Sequence, residues 1–319
     1  MYTTLLKRAI NGNYYILLIS IRLLTLNTEQ MPFPFGKELR TERAQRLSDI
    51  ILSNEDFDII CLQEVFWEPS RQVFINNLKH KYPHYYVDNS FGKYFIGLNS
   101  GLAIFSKYPI LDRISHTYKD YRGVETFAKK GVIGVKLDIS GETKFDYNNF
   151  KTNKFGFKRS SIKLKRSTIN VFTTHLQSGI GGQPYIFTLI DKYSHLKGSN
   201  MSSIELKESQ LNELKKTVQK FCKDGEHIIV AGDLNIEASK SKDYGILSKI
   251  MHSLRLKDKF VFTNKSIKSS VLGNEEKRID YVWSNMAGKS IITETYGNSK
   301  TTDHRDVIIN FVTYNILQN

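Results

Sequence analysis

Residues 57–62 are apolar apart from Asp58, and the run stops at Gln63-Glu64. Four consecutive apolar residues, Ile59 to Leu62, predict a strand covered on both faces rather than one with a wet side. A carboxylate at the end of such a strand is costly to desolvate unless a cation or a partner meets it. The pattern recurs along the chain: strand-like runs finish at Asn27, at His175 and at Asp233-Leu234-Asn235, and two more lie beside Asp280 and Asp303-His304. Strand ends that open into a cleft are where α/β folds place their ligands.

The segments between these runs carry helical spacing. Leu39, Ala44, Leu47, Ile50 and Ile51 predict a helix over 37–54; Phe74 and Leu78 predict one over 70–81. Leu211, Leu214, Val218, Phe221 and Cys222 predict a third over 203–222. Strands are expected at 23–27, 82–89, 100–106, 131–139, 167–174, 228–231, 278–283 and 307–312. Strands alternating with helices and hairpins predict a mixed α/β sandwich. The chain has 319 residues and six prolines, and no Gly/Ser-rich tract divides it. It is therefore expected to form one catalytic domain over 16–319 behind an irregular leader over 1–15.

Lys7 and Arg8 ahead of the apolar stretch 14–21 have the outline of a signal peptide. Arg22 interrupts that stretch, no small-residue cleavage site follows, and it is too short to span a bilayer. A first strand behind the leader is the expectation, with a cytoplasmic or peripheral-membrane location. Two cysteines, Cys61 and Cys222, are too few for a disulfide framework or a zinc site. They read as small core residues, in keeping with a reducing compartment.

The net charge of +14 predicts attraction to polyanions, either nucleic acid or an anionic lipid surface, without choosing between them. Residues 141–166 concentrate that charge. Lys144, Lys151, Lys154, Lys158, Arg159, Lys163, Lys165 and Arg166 are interleaved there with Phe145, Tyr147, Phe150, Phe155 and Phe157, as in an extended hairpin or insertion. Residues 179–200 are expected to be a long loop serving as a lid.

The polar strand ends are carboxylates, amides and imidazoles, with no thiolate among them. Such a set suits a hard divalent ion, Mg²⁺ or Mn²⁺, better than zinc. Mg²⁺ keeps several waters and binds substrate phosphate, so one strong ligand such as Glu64 can suffice. Histidines near carboxylates supply a general base and an electrophilic stabiliser. An aspartate on the far nitrogen of His304 would fix its tautomer. These are the parts for metal-assisted hydrolysis of a phosphate ester.

In order and spacing, Asn27, Gln63-Glu64-Val65, Thr174-His175-Leu176, Gly232-Asp233-Leu234-Asn235, Arg278-Ile279-Asp280-Tyr281 and Thr302-Asp303-His304 resemble the motifs of the endonuclease/exonuclease/phosphatase superfamily. The resemblance spans about residues 20–312. It implies a four-layer α/β sandwich, with two mixed sheets packed face to face, helices outside and a metal site at one end. By the same resemblance Glu64 is the principal Mg²⁺ ligand with Asn27 beside it, and His304 is the base that activates water, oriented by Asp280 and assisted by Asp303. Asp233 and Asn235 position water, phosphate or leaving group, and His175 stabilises the phosphoryl oxygens.

Three segments are similar to the neutral sphingomyelinase branch. They are residues 98–110, Gln63-Glu64-Val65-Phe66, and Ala128-Lys129-Lys130-Gly131-Val132 after a flexible loop. The last implies that Lys130 meets a lipid phosphate, with Asn27 also near the phosphate, and that Glu125 pairs with Lys130 when substrate is absent. Inositol-phosphate phosphatases carry a Trp before the Gly-Asp-x-Asn element, where this chain has Ala231, and a cysteine that is missing at 278–281. Apurinic endonucleases carry a Tyr-x-Pro-Asn segment that is not found here. Arg305-Asp306 departs from the apolar or proline pair that follows Asp-His in relatives. The resemblance implies a monomeric sphingomyelin phosphodiesterase that meets phospholipid at a membrane surface through the basic, aromatic insertion. A nuclease using the same site on DNA or RNA is the alternative.

Overall fold

The computed structural model describes residues 6–8, 14–31, 39–54, 56–88, 99–122, 129–140, 167–178, 201–260, 268–273, 277–293, 297 and 301–318. The insertion at 141–166, the loop at 179–200 and Glu125 lie outside the described residues. The chain runs β1 (Leu6–Arg8), β2 (Tyr14–Asn27), α1 (Arg40–Asn54), β3 (Ile59–Gln63), α2 (Glu68–Leu78), β4 (His84–Val87), β5 (Ala103–Ser106), β6 (Ile110–Thr117) and β7 (Gly131–Asp138). It continues through β8 (Thr168–His175), α3 (Ser203–Phe221), β9 (His227–Asp233), α4 (Ser241–Ser253), β10 (Lys257–Asp258), β11 (Asp280–Ser284), β12 (Ala287–Thr293) and β13 (Asp306–Gln318).

The alternation of side chains along the central strands builds the layers. Leu23 and Leu24 are both fully buried but face opposite ways. Leu23 joins Ile59, Cys61 and Ile104 against Ile133, Val135, Val171 and Ile229 of the other sheet. Leu24 joins Ile60 against Ala44, Leu47 and Ile51 of α1 and Phe74 of α2. On the far side, Phe172 and Trp283 pack on Leu211, Leu214 and Val218 of α3 and on Leu247 and Met251 of α4. Three apolar layers thus separate four layers of secondary structure, the expected sandwich.

The first sheet has the order β12-β13-β2-β3-β5-β4, with β1 on β2; the second is β10-β11-β9-β8-β7-β6. Each sheet holds one parallel pair, β2–β3 or β8–β9, and its remaining pairs are antiparallel. A helix follows the first strand of each parallel pair and carries the chain back, α1 in one and α3 in the other. The α3 start is fixed by a capping box: the Ser202 side chain accepts from the Glu205 backbone while the Glu205 carboxylate accepts from Ser202. No described helix is long and apolar enough to cross a membrane.

The leader is not irregular throughout. Leu6–Arg8 is a strand paired to residues 15–17, and β2 starts at Tyr14 because β13 pairs with it from Tyr14 to Thr25. Arg22 does not end that strand: its backbone N–H donates to Asp58 Oδ2 at 2.9 Å and its guanidinium lies 5.2 Å from the Phe57 ring centroid. At 278–283 the strand begins only at Asp280. Helix α4 and strand β12 have no counterpart among the expected elements.

Candidate active site

Strand direction gathers the polar ends. The parallel strands arrive with their carboxyl ends and their antiparallel neighbours with their amino ends. Asn27 therefore lies opposite Gln63, and Asp233 lies opposite both His175 and Asp280. His304 comes two residues before β13, which runs antiparallel to β2. Lys130 precedes β7, whose first residue Gly131 pairs with His175.

Two residues leave their strands through left-handed backbone, Glu64 at φ 57° and Asn235 at φ 51°. Asparagine tolerates that region, whereas a glutamate is strained there by about 1–2 kcal/mol. Backbone bonds hold the Glu64 turn: its carbonyl accepts from Gln30 N at 3.0 Å, and Val65 N donates to Gly101 O at 2.8 Å. Before Asp233, Gly232 sits at φ 141°, and a Cβ there would come within 2.2 Å of the Thr174 carbonyl. Only glycine fits where β9 passes β8 so closely.

The side chains converge on Asp233. Its Oδ2 accepts from Asn27 Nδ2 at 3.2 Å and lies 3.4 Å from His175 Nε2 and 3.9 Å from His304 Nε2. Its Oδ1 accepts from the Asn235 backbone at 2.8 Å. The Asn235 side chain turns away and donates to Leu176 O at 2.9 Å. His304 Nδ1 meets Asp280 Oδ2 at 2.8 Å, the orienting pair anticipated from the motifs. Asp303 is looser, 3.9 Å from His304 Nε2 with a half-exposed side chain. Glu64 Oε1 lies 3.7 Å from His175 Nε2. Lys130, only 5% exposed, puts Nζ at 2.8 and 2.7 Å from the two ring nitrogens of His175.

Burial and mutual charge set the protonation states. Burial, reinforced by the charges of Lys130 and His304, holds His175 well below the ordinary histidine range, so its ring is neutral and one nitrogen is free to accept from Lys130. Burial would lower His304 too, but the charge and hydrogen bond of Asp280, with Asp233 and Asp303, outweigh it and push the imidazole up to about 10. Burial and the neighbouring Asp280 raise Asp233 to about 7. Glu64 is also raised by burial, against the opposing pull of Lys130, Asn27 and His304.

These groups fit a hard divalent cation. Burial disfavours the Glu64 carboxylate, a deficit that a cation removes. Asp280 Oδ1 is buried and has no hydrogen-bond partner among the described residues. Asp233, Asp280 and His304 each present one ligand atom within 4.8 Å of the others, a cluster beside the expected Glu64–Asn27 pair. Neither cysteine joins in: Cys61 packs between the sheets and Cys222 follows α3.

Several residues that shape the site have no role in the sequence reading. Ser270 Oγ accepts from the Ile279 and Asp280 backbones at 3.0 Å, and Arg305 Nη1 donates to Ser269 O at 3.2 Å and Val271 O at 2.6 Å. Arg305 thus props the segment that carries Asp280. Its neighbour Asp306 is fully buried and accepts from Thr293 Oγ1 and Gly297 N. The unusual pair after His304 is scaffolding. Lys207 of α3 donates to Asn235 O at 2.5 Å, holding the turn. A basic residue in the second turn of an amphipathic helix gives no hint of that in the sequence.

A sequence model of the Endonuclease/Exonuclease/phosphatase family matches residues 24–304. A sphingomyelinase of Dictyostelium discoideum is 28% identical over 201 residues, 59% of this chain and 39% of the relative. The chain thus spans about two-fifths of that relative's length. Among solved structures, sphingomyelinase C from Streptomyces griseocarneus shares the fold with a TM-score of 0.64 at 18% identity, covering 91% of this chain and 99% of the other. Beta toxin from Staphylococcus aureus, in a mutant form with bound magnesium ions, gives 0.63 at 16% identity with the same coverage. On the family match, the strand order and the converging polar ends, this chain belongs to the Endonuclease/Exonuclease/phosphatase family and resembles its sphingomyelinases.

Proposed function

We propose that the protein is a Mg²⁺-dependent phosphodiesterase of phospholipase C type that hydrolyses sphingomyelin to ceramide and phosphocholine. The observation that carries the hydrolase reading is the His304–Asp280 pair aimed at Asp233, beside a partly buried Glu64 and a buried Asn27. The substrate reading leans on Lys130 against His175, with the sphingomyelinase relatives as support.

In this reading Glu64, with the amide oxygen of Asn27 beside it, would hold Mg²⁺, and the ion would supply a charge that polarises a phosphoryl oxygen and offsets the carboxylates that keep His304 protonated. Neutral His304 accepts a proton from water as its oxygen attacks phosphorus. Asp280 keeps the Nδ1 proton in place and stabilises the imidazolium that forms. The phosphorus–oxygen bond to ceramide breaks, that oxygen takes a proton from a second water, and the His304 imidazolium returns its proton to solvent. Lys130 and His175 face the charge that builds on the phosphoryl oxygens. Asp233 and Asn235 position the water and the leaving group, and Asp303 assists His304 from the rim. The insertion at 141–166 supplies contact with the lipid surface.

The test is a side-by-side assay with Mg²⁺: sphingomyelin vesicles in one reaction and single- and double-stranded DNA in another, each with an EDTA control. Phosphocholine release that EDTA stops is expected. DNA cleavage without lipid hydrolysis would sink the sphingomyelinase reading and make the +14 charge a nucleic-acid track.

A further inference from the structure

Arg43 breaks a local rule. It lies in the first turn of α1, where the helix dipole disfavours a cation, and it is only 7% exposed. Its Nε is buried without a hydrogen-bond partner among the described residues, a further cost. Residues that oppose local preference in this way tend to serve a site.

The guanidinium joins two loops that carry different parts of the active site. Nη2 donates to Glu29 O at 2.7 Å, and Nη1 donates to Thr301 O at 3.1 Å while lying 3.5 Å from the Glu29 carboxylate. On the first loop, Glu29 sits at φ 50° and its N–H donates to Asn27 Oδ1 at 3.1 Å. That bond turns the Asn27 amide so that Nδ2 reaches Asp233. On the second loop, Thr302 follows Thr301 and donates from Oγ1 to Asn27 O at 2.8 Å, two residues before His304. A chain of short contacts therefore runs from one side chain of α1 to Asn27 on one side and toward His304 on the other. The planar fork suits two carbonyls at a fixed spacing, which a lysine ammonium cannot reproduce.

We propose that Arg43 is a positioning residue that sets the separation between the Asn27–Glu64 pair and His304. The inference rests on reading Asn27 and Glu64 as the cation-holding pair. It concerns how the two halves are held in register, whatever phosphodiester is cleaved.

The test compares Arg43→Lys and Arg43→Met with wild type, using Lys107→Met as a control for stability alone. Lys107 pairs with Asp56 and Asp58, outside the site. Mg²⁺ affinity is measured by calorimetry without substrate, well below each Tm, and kcat and KM are measured with bis(4-nitrophenyl) phosphate. Arg43→Met should weaken Mg²⁺ binding and lower kcat by about 10–100-fold each, with KM nearly unchanged. Arg43→Lys, which keeps the charge and is expected to fold, should fall between it and wild type. The control should lose Tm and nothing else. Wild-type Mg²⁺ affinity and kcat in folded Arg43→Lys and Arg43→Met would overturn the proposal, as would equal losses in the control. A wild-type protein that binds Mg²⁺ but leaves sphingomyelin intact would remove the substrate reading and leave this inference standing. A wild-type protein that binds no Mg²⁺ would remove both.

Discussion

The two parallel units, β2-α1-β3 and β8-α3-β9, are built alike and carry different chemistry. In each, the residue after the first strand donates to the last residue of the second: Thr28 N to Gln63 O at 3.0 Å, and Leu176 N to Asp233 O at 3.1 Å. Asn27 and His175 therefore occupy corresponding places, as do Gln63 and Asp233. The first unit fills them with two neutral amides and the second with two ionisable groups. Gln63 is fully buried and reaches across the sandwich, donating to Thr25 Oγ1 at 3.0 Å and Thr173 Oγ1 at 2.8 Å. The acid of the first unit appears one residue later, at Glu64, once the chain has turned out of the sheet. One scaffold thus yields a neutral clamp on one side and an ionisable cluster on the other.

Removing the charge from either unit should have the largest effect. Glu64→Ala and Asp233→Asn should each lower kcat by about 10³-fold or more while Tm is kept or raised, since both carboxyls are disfavoured by burial. Steady-state kinetics with Mg²⁺ would check this. Substantial Mg²⁺-dependent turnover in Glu64→Ala would mean that the cation rests on the Asp233–Asp280–His304 cluster instead.

Asp233 of the second unit, with His304 beside it, should also make the metal-free protein sensitive to alkali. Folding raises Asp233 to about 7 and His304 to about 10, so the folded state binds protons more tightly than the unfolded chain. These two groups favour the folded state most at low pH, whereas His175, held below its ordinary range, works the other way up to about pH 6.5. The Asp233 part is lost as pH rises from about 4 to 7, and the His304 part from about 6.5 to 10. Above about pH 7, where His175 no longer contributes, Tm in EDTA should fall toward pH 10, and Asp280→Asn should flatten that fall. A Tm that climbs over this alkaline range would contradict these protonation states.

The smallest effect falls on the neutral clamp. Gln63→Glu keeps the shape but places a carboxyl where the second unit has one. It should cost about 1–3 kcal/mol at pH 8 and less at pH 5, where a protonated carboxyl can still donate to a threonine. Urea unfolding at the two pH values would measure it. No cost at pH 8 would mean that burial does not enforce the difference between the units.

Much of the candidate site is legible because charge at the end of an apolar run is conspicuous and because the ordered motifs resemble those of a known superfamily. Asn27, Glu64, His175, Asp233, Asn235, Asp280 and His304 all stand where a hydrophobic stretch begins or stops. The runs predict a mixed sandwich, and the resemblance implies its four layers. What stayed hidden depends on distant partners. Tyr14 and Tyr15 fall in the expected leader, because pairing with β13, about three hundred residues later, is what makes them part of a strand. Helix α4 has no side-chain cap and carries Gly245 in its interior, so its signal is weak until Leu247, Ile250 and Met251 meet the second sheet. Arg43 and Lys207 look like ordinary surface cations of amphipathic helices. Their targets are backbone carbonyls, which leave no mark in a sequence.

The left-handed turn at Glu64 has a consequence for how this protein can drift. Asparagine or glycine would relax the backbone at that position and relieve the burial of a carboxylate at the same time. Selection for robustness alone therefore pulls residue 64 away from the one side chain its proposed chemistry needs. A descendant freed from that chemistry would be expected to lose this glutamate early, while the sandwich around it remained intact.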